Sequence, residues 1–297
     1  AAIEALEPKR SIFEILDRTA SPTTILATNT SALSVTAIST ATADPGRVIG
    51  LHFFNPAPRM KLVEVVRTDA TAPAVLERAT GLMRSWGKTP VVCSDSPGFI
   101  VNRVNRPFTL EALSLLETGT ASVPRIDGAV RDAGFPMGPF ELMDLIGVDV
   151  NLAAARGLWE AMGRHERFRP SPIQERLVAT GRLGRKSGTG FYRYDEEGRS
   201  IGPAAETEGT DDPATADAAI AERIVLAIVN EAFSALGDRV ATEPDIDLAL
   251  RLGAGHPVGP FERVAGLGGR DAVARRLRAL ATAGPRFEPS PLLAVLR

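Results

Sequence analysis

The 297-residue sequence is poor in several things, and each shortage closes off a class of protein. It has one cysteine, Cys93, so no internal disulfide can form, and that usage fits a reducing cytosol. Its apolar runs are brief: Ile224 to Val229 is typical of the longest, far below the ~20 residues a bilayer-crossing helix needs. Neither charge dominates. The 34 basic and 36 acidic residues leave −2, which offers no general attraction for nucleic acid or an anionic membrane. Only four of the 34 basic residues are lysines (Lys9, Lys61, Lys88 and Lys186), a bias that fits a GC-rich genome. No signal segment opens the chain, and no methionine does; it starts in what reads as the middle of a helix. No Cys/His spacing suits a metal, and no serine sits in a nucleophile elbow.

What is present reads as an ordinary globular protein of about two domains, 44% hydrophobic and 24% charged. Residues 1–95 alternate helical and strand patterns. Helices are expected over 1–20, 34–40 and 72–86, and strands at 24–27, 47–52, 61–66 and 89–93, an α/β layer with a largely parallel sheet. After Cys93 the pattern turns helical. Ser96-Pro97 reads as a helix start that runs toward Gly119, and further helices are expected over 125–133, 138–145, 151–162 and 171–179. Residues 195–215, rich in Gly, Pro, Ala and acids, read as a flexible linker before a second helical domain over 216–297.

The helical blocks at 96–194 and 216–297 are copies. Glu111-Ala112 recurs as Glu231-Ala232, Ile126-Asp127 as Ile246-Asp247, Gly134-Phe135-Pro136 as Gly255-His256-Pro257, and Phe168 to Pro172 as Phe287 to Pro291. Offsets of 119–121 residues, in constant order, mark a tandem duplication. Duplicated helical units stack and share a buried face.

One pair of residues stands out chemically. Two strands flank the turn formers Asn55, Pro56 and Pro58, and an antiparallel return about residue 58 sets His52 opposite Glu64. Directly opposed side chains have Cβ atoms ~4.5–5.5 Å apart. A carboxylate there fixes the imidazole tautomer and steadies the imidazolium after proton capture, the working half of a general base. An ordinary cross-strand ion pair fits the same spacing.

The runs His52-Phe53-Phe54-Asn55-Pro56, Lys61-Leu62-Val63-Glu64-Val65, Asn29-Thr30-Ser31, Asp95 to Arg103, Gly138 to Leu142 and Gly184 to Tyr192 together resemble the 3-hydroxyacyl-CoA dehydrogenases. The resemblance covers residues 1–194 in the family's order, and the duplicated block covers most of the rest. It implies a partial Rossmann-type α/β domain, its C-terminal half only, followed by two tandem all-α domains related by duplication. It implies oxidation of a 3-hydroxyacyl-CoA thioester with NAD, His52 as base, Glu64 as its partner, and Ser31 and Asn102 on the substrate. Glu4, Lys9, Ser31, Asn55 and Lys186 would bind the cofactor. A cytoplasmic protein is expected, with an acyl-CoA substrate, no nucleic acid, no membrane and no metal, and with helical domains able to form a homo-oligomer. A non-catalytic, crystallin-like relative and a sugar-acid dehydrogenase are the alternatives.

The dinucleotide fingerprint Gly-x-Gly-x-x-Gly is missing. Gly253 to Gly259 has the wrong spacing, and Gly188-Thr189-Gly190 runs into Phe191-Tyr192 rather than a helix. The chain is therefore expected to be a piece truncated ahead of Ala1, inactive and weak for NAD by itself. Aligning Arg103 with Arg223 puts Glu222 where Asn102 stands, so the second copy is expected to be structural, with His256 a packing residue and His165 solvated.

Overall fold

The computed structural model describes residues 3–205 and 207–294. The chain runs α1 (Leu6–Thr19), β1 (Leu26–Thr28), α2 (Val35–Ser39), β2 (Val48–Phe53), β3 (Leu62–Arg67), α3 (Pro73–Ser85), β4 (Thr89–Ser94) and α4 (Val101–Val104). It continues through α5 (Arg106–Glu117), α6 (Val123–Asp132), α7 (Pro139–Ile146), α8 (Val148–Ala161) and α9 (Pro172–Ala179) to a hairpin, β5 (Tyr192–Tyr194) and β6 (Ser200–Pro203). The second copy supplies α10 (Asp217–Gly237), α11 (Glu243–Gly253), α12 (Pro260–Gly266), α13 (Arg270–Ala279) and α14 (Pro291–Ala294). Among the described residues no helix is long and apolar enough to cross a membrane.

Two compact units emerge: residues 1–103 with 235–254, and residues 104–234 with 255–297. These are not the divisions expected at 95, 194 and 215. The two helical copies share one unit, and a stretch of the second copy joins the α/β unit.

In the α/β unit the sheet order is β1-β2-β3-β4. β1–β2 and β3–β4 are parallel, and the β2–β3 pair between them is antiparallel. Its register sets Gly50 opposite Val66 and His52 opposite Glu64, as the return about residue 58 requires. Gly50 has to be glycine, because a Cβ there would lie 2.8 Å from the Val66 Cβ and 3.0 Å from Val35 Cγ2 on α2. Ser34 starts α2 by accepting the Ala37 N–H. On one face Ile49, Val63 and Val65 pack with Ala79 and Met83 of α3. α11 covers β3 and β4, so close that a Cβ on Gly253 would sit 2.7 Å from Leu62 Cδ2. The Ser94 N–H donates to the Val240 carbonyl at 2.8 Å, and buried Arg103 pairs with Asp238 at 2.5 Å. Among the described residues β1 pairs with β2 alone, and Ile12, Ile15, Leu82 and Trp86 are exposed on the flanking helices.

The helix expected from Pro97 starts later. Gly98 (φ +74°) and Phe99 (φ +49°) are left-handed, which no helix start accommodates, so residues 97–100 form a turn and α4 opens at Val101.

The helical unit is built around reciprocal contacts between the copies. The Arg167 guanidinium donates to Glu231 at 2.9 Å, and its counterpart Arg286 donates to Glu111 at 2.9 Å. Gly134 faces Pro257 as Gly255 faces Pro136, and Phe135 meets His256 edge-on with ring centroids 5.0 Å apart. Contacts exchanged in this way are the mark of an isologous interface, here closed within one chain. The stretch read as a flexible linker is instead a strap. Val123 N–H bonds the Glu208 carbonyl at 2.8 Å, Ser122 N–H bonds Asp211 at 2.8 Å, and Asp212 N–H bonds the Thr120 carbonyl at 3.1 Å. Its small residues are what let it lie close; a Cβ on Gly209 would fall 2.4 Å from Leu116 Cδ1.

Candidate active site

The site begins with strand register. β2 and β3 present His52 and Glu64 side by side, and His52 Nδ1 lies 2.6 Å from Glu64 Oε2. The other carboxylate oxygen, Oε1, accepts the Ile100 N–H at 3.1 Å and the Val101 N–H at 2.8 Å. Glu64 is fully buried, and three donors converge on it. That arrangement suits an ionised, acceptor-only carboxylate and makes Nδ1 the donor, leaving the Nε2 lone pair unengaged. Phe54 and Phe99 wall the imidazole at centroid distances of 4.7 and 5.7 Å. The left-handed Gly98-Phe99 turn therefore does two things. It points the first amides of α4 at Glu64 and lays an aromatic face against His52.

Ser31 and Asn102 come together as well. Asn102 Nδ2 donates to the Ser31 carbonyl at 3.2 Å, while the Ser31 side chain is exposed and makes no hydrogen bond. Ser31 follows β1, and its N–H donates to Glu4 Oε1 at 2.8 Å. Glu4 also receives Thr30 Oγ1 at 2.5 Å and Lys9 Nζ at 2.9 Å. Burial works to raise the Glu4 carboxyl, but hydrogen bonds from Thr30, Lys9 and Ser31 outweigh it and hold the group below the ordinary carboxylate range. Three expected cofactor residues, Glu4, Lys9 and Ser31, thus form one cluster. Asn55 is exposed in the loop after β2, preceding a cis Pro56. Lys186 lies in the helical unit, where it pairs with Asp149 at 2.6 Å.

Three contributors escaped the sequence reading. Asn29 Oδ1 accepts the Phe53 N–H at 2.9 Å, tying the ends of β1 and β2. Asp95 accepts Ser34 Oγ at 2.7 Å and Thr36 N–H at 2.8 Å, fixing the start of α2. Lys88 Nζ donates to the Ala57 and Met60 carbonyls, at 2.5 and 2.8 Å, and so pins the loop that carries Asn55. Their only signal was the scarcity of lysine and the match of Asn29 and Asp95 to longer runs.

The exposed side chains of Ser31 and Asn55, without hydrogen bonds among the described residues, follow the carboxyl ends of β1 and β2, where open α/β sheets receive ligands. That donor set fits the nicotinamide end of a dinucleotide. No glycine loop for the pyrophosphate occurs in these 297 residues.

The polar cluster thus stands at the carboxyl edge of the sheet, where an open α/β fold receives its ligand. The comparisons name the family. Residues 1–96 match the NAD-binding domain of 3-hydroxyacyl-CoA dehydrogenase, and residues 98–194 and 220–296 match its C-terminal domain. The chain belongs to the 3-hydroxyacyl-CoA dehydrogenase family, whose first domain binds NAD. The 3-hydroxyadipyl-CoA dehydrogenase of Escherichia coli is 41% identical over 347 aligned positions, covering 90% of this chain and 73% of that protein. The pig mitochondrial hydroxyacyl-coenzyme A dehydrogenase is 46% identical over 195 positions, 65% of this chain and 62% of its own length. The chain thus spans less than two thirds of the mitochondrial relative. A crystal structure of an E. coli 3-hydroxybutyryl-CoA dehydrogenase superposes with a TM-score of 0.88 and 37% identity, over 99% of this chain and 79% of that one.

Proposed function

We propose that this chain carries the reacting groups of an enzyme that oxidises the 3-hydroxyl of an acyl-CoA thioester to a ketone. The observation that carries the reading is the His52–Glu64 pair, 2.6 Å apart with Nε2 left free. His52 Nε2 takes the hydroxyl proton, and ionised Glu64 steadies the imidazolium so formed. Ser31 and Asn102 hold substrate oxygens, Ser31 Oγ having no competing bond among the described residues. Bound NAD supplies the hydride acceptor. Glu4, Lys9 and Asn55 support its nicotinamide end, and Lys186 is assigned to the cofactor by family likeness alone.

The same reading places the protein in the cytosol, with its one thiol, Cys93, buried and held well above its ordinary pKa by desolvation. The pairing of helical copies within one chain supports a protein that meets its own duplicate before any second subunit. Without a glycine loop, these 297 residues by themselves bind NAD weakly and turn over nothing, and a fluorescence titration with micromolar NADH should be flat. The decisive assay is NADH-dependent reduction of acetoacetyl-CoA by the natural protein, followed by absorbance. Turnover is expected, and inertness toward every 3-oxoacyl-CoA tried removes the assignment.

A further inference from the structure

The first helical copy buries an arginine with nothing to neutralise it. Arg106, at the start of α5, is only 7% exposed. Among the described residues the guanidinium's one hydrogen bond is a long 3.4 Å contact from Nη1 to Asn151 Oδ1, and its Nε has no partner. Beside it, fully buried Gln174 of α9 donates to Asn151 Oδ1 at 2.9 Å and leaves its own Oε1 unpartnered. No carboxylate among the described residues pairs with this guanidinium. Desolvation alone pulls it down to about 10. A buried cation without a counter-charge is unfavourable unless something anionic meets it.

Packing does not require these residues, and the second copy shows it. At the repeat offsets, Arg106 corresponds to Leu226 and Gln174 to Leu293; counted from the glycine before each helix, Asn151 of α8, four residues past Gly147, matches Val273 of α13, four past Gly269. All three counterparts are buried, at 1%, 0% and 0% exposure. One helical cage is thus filled twice, once with three apolar side chains and once with an arginine and two amides that do not satisfy one another.

We infer that Arg106, with Asn151 and Gln174, forms a carboxylate site that makes the chain selective for acyl-CoA thioesters of dicarboxylic acids. A guanidinium offers two parallel N–H donors to a carboxylate, and the amides adjust around it. The site lies wholly within the helical unit, and Arg106 follows Asn102 by four residues along the chain. The inference rests on the proposed dehydrogenase reading for its substrate class, but the anion site itself does not.

The test is made in two arms. In thermal unfolding of the 297-residue chain, millimolar adipate is expected to raise the midpoint while butyrate does not, and R106L is expected to abolish the rise. The triple variant R106L/N151V/Q174L, which installs the second copy's own residues, guards against misfolding. In the natural protein, kcat/KM for 3-oxoadipyl-CoA is expected to exceed that for acetoacetyl-CoA. R106L should erase at least a hundredfold of that preference while leaving acetoacetyl-CoA reduction unchanged. No adipate effect, or an equal effect in R106L, overturns the site. An adipate shift in a protein that reduces neither thioester keeps the site and defeats the dehydrogenase reading. Reduction of both without preference does the reverse.

Discussion

The first helical copy buries Asp127 beneath the start of α7, and the second buries His256, which stands where the first copy has Phe135, against Asn105. Asp127 accepts the Phe140 and Glu141 N–H groups at 2.9 and 3.1 Å and Tyr192 Oη at 2.8 Å. Glycine is obligatory above it, since a Cβ on Gly138 would fall 2.2 Å from Asp127 Cγ. Asn102 of the first copy reaches the Ser31 carbonyl, whereas its counterpart Glu222 pairs with Arg276 at the edge of a cavity of about 520 Å³. The α6 helix of the first copy packs on α7, but its counterpart α11 roofs the sheet. The copies thus share a buried carboxylate, Asp127 and its counterpart Asp247, and differ where Asn102 and Glu222 stand.

Four measurements test the contrast, and the largest effect concerns catalysis. In the natural protein, His52→Gln should lower kcat about 10²–10⁴-fold with KM for the thioester little changed. His256→Gln should leave kcat alone and cost roughly 1–3 kcal/mol of unfolding free energy through a lost buried hydrogen bond. A drop in turnover from the His256 change would break the division of labour.

Next come the charged clasps. Glu111 is fully buried between Arg223 and Arg286, at 2.5 and 2.9 Å. Removing it in Glu111→Ala strands two cations and should cost about 3–5 kcal/mol in a denaturant titration.

Two buried groups should tilt stability with pH in opposite directions. Burial raises Asp127 to about 7, so from about pH 4 to 7 the unfolded chain ionises it while the fold does not, and stability falls as pH rises. Burial, with the Arg263 charge adding to it, lowers His256 to about 3. Between about pH 3 and 6.5 the unfolded chain takes up that proton alone, so stability rises with pH. Relative to the parent, Asp127→Asn should steepen the rise between pH 4 and 6.5, and His256→Gln should turn it toward a fall. Parallel curves for all three proteins would remove both assignments. The smallest effect belongs to Glu222→Ala, whose half-exposed pair with Arg276 is worth under about 1 kcal/mol.

The α/β half was legible because its signals are local. Period-two runs place β2 and β3, turn formers at 55–58 set their return, and His52 then has to oppose Glu64. The duplication was legible from offsets. Three features were not. The strap at 207–212 has the composition of a flexible linker, and its order comes from backbone bonds to Thr120, Ser122 and Val123 that composition does not encode. Pro97 sits behind a good capping serine, yet the turn goes left-handed at Phe99 because Glu64 receives the Ile100 and Val101 amides and His52 receives the Phe99 ring. The place of α11 was hidden because repetition predicts repeated neighbours, whereas α6 and α11 have different ones.

The seat of α11 on β3 and β4 bears on any attempt to shorten the protein. A designer who trims away the second repeat would unroof the strand that bears Glu64. Hydrophobic β4 would meet water, Arg103 would lose Asp238, and aggregation rather than a leaner catalyst is the expected yield. The added repeat has become scaffolding for the older fold, and the ancestry of a segment is therefore no guide to its dispensability.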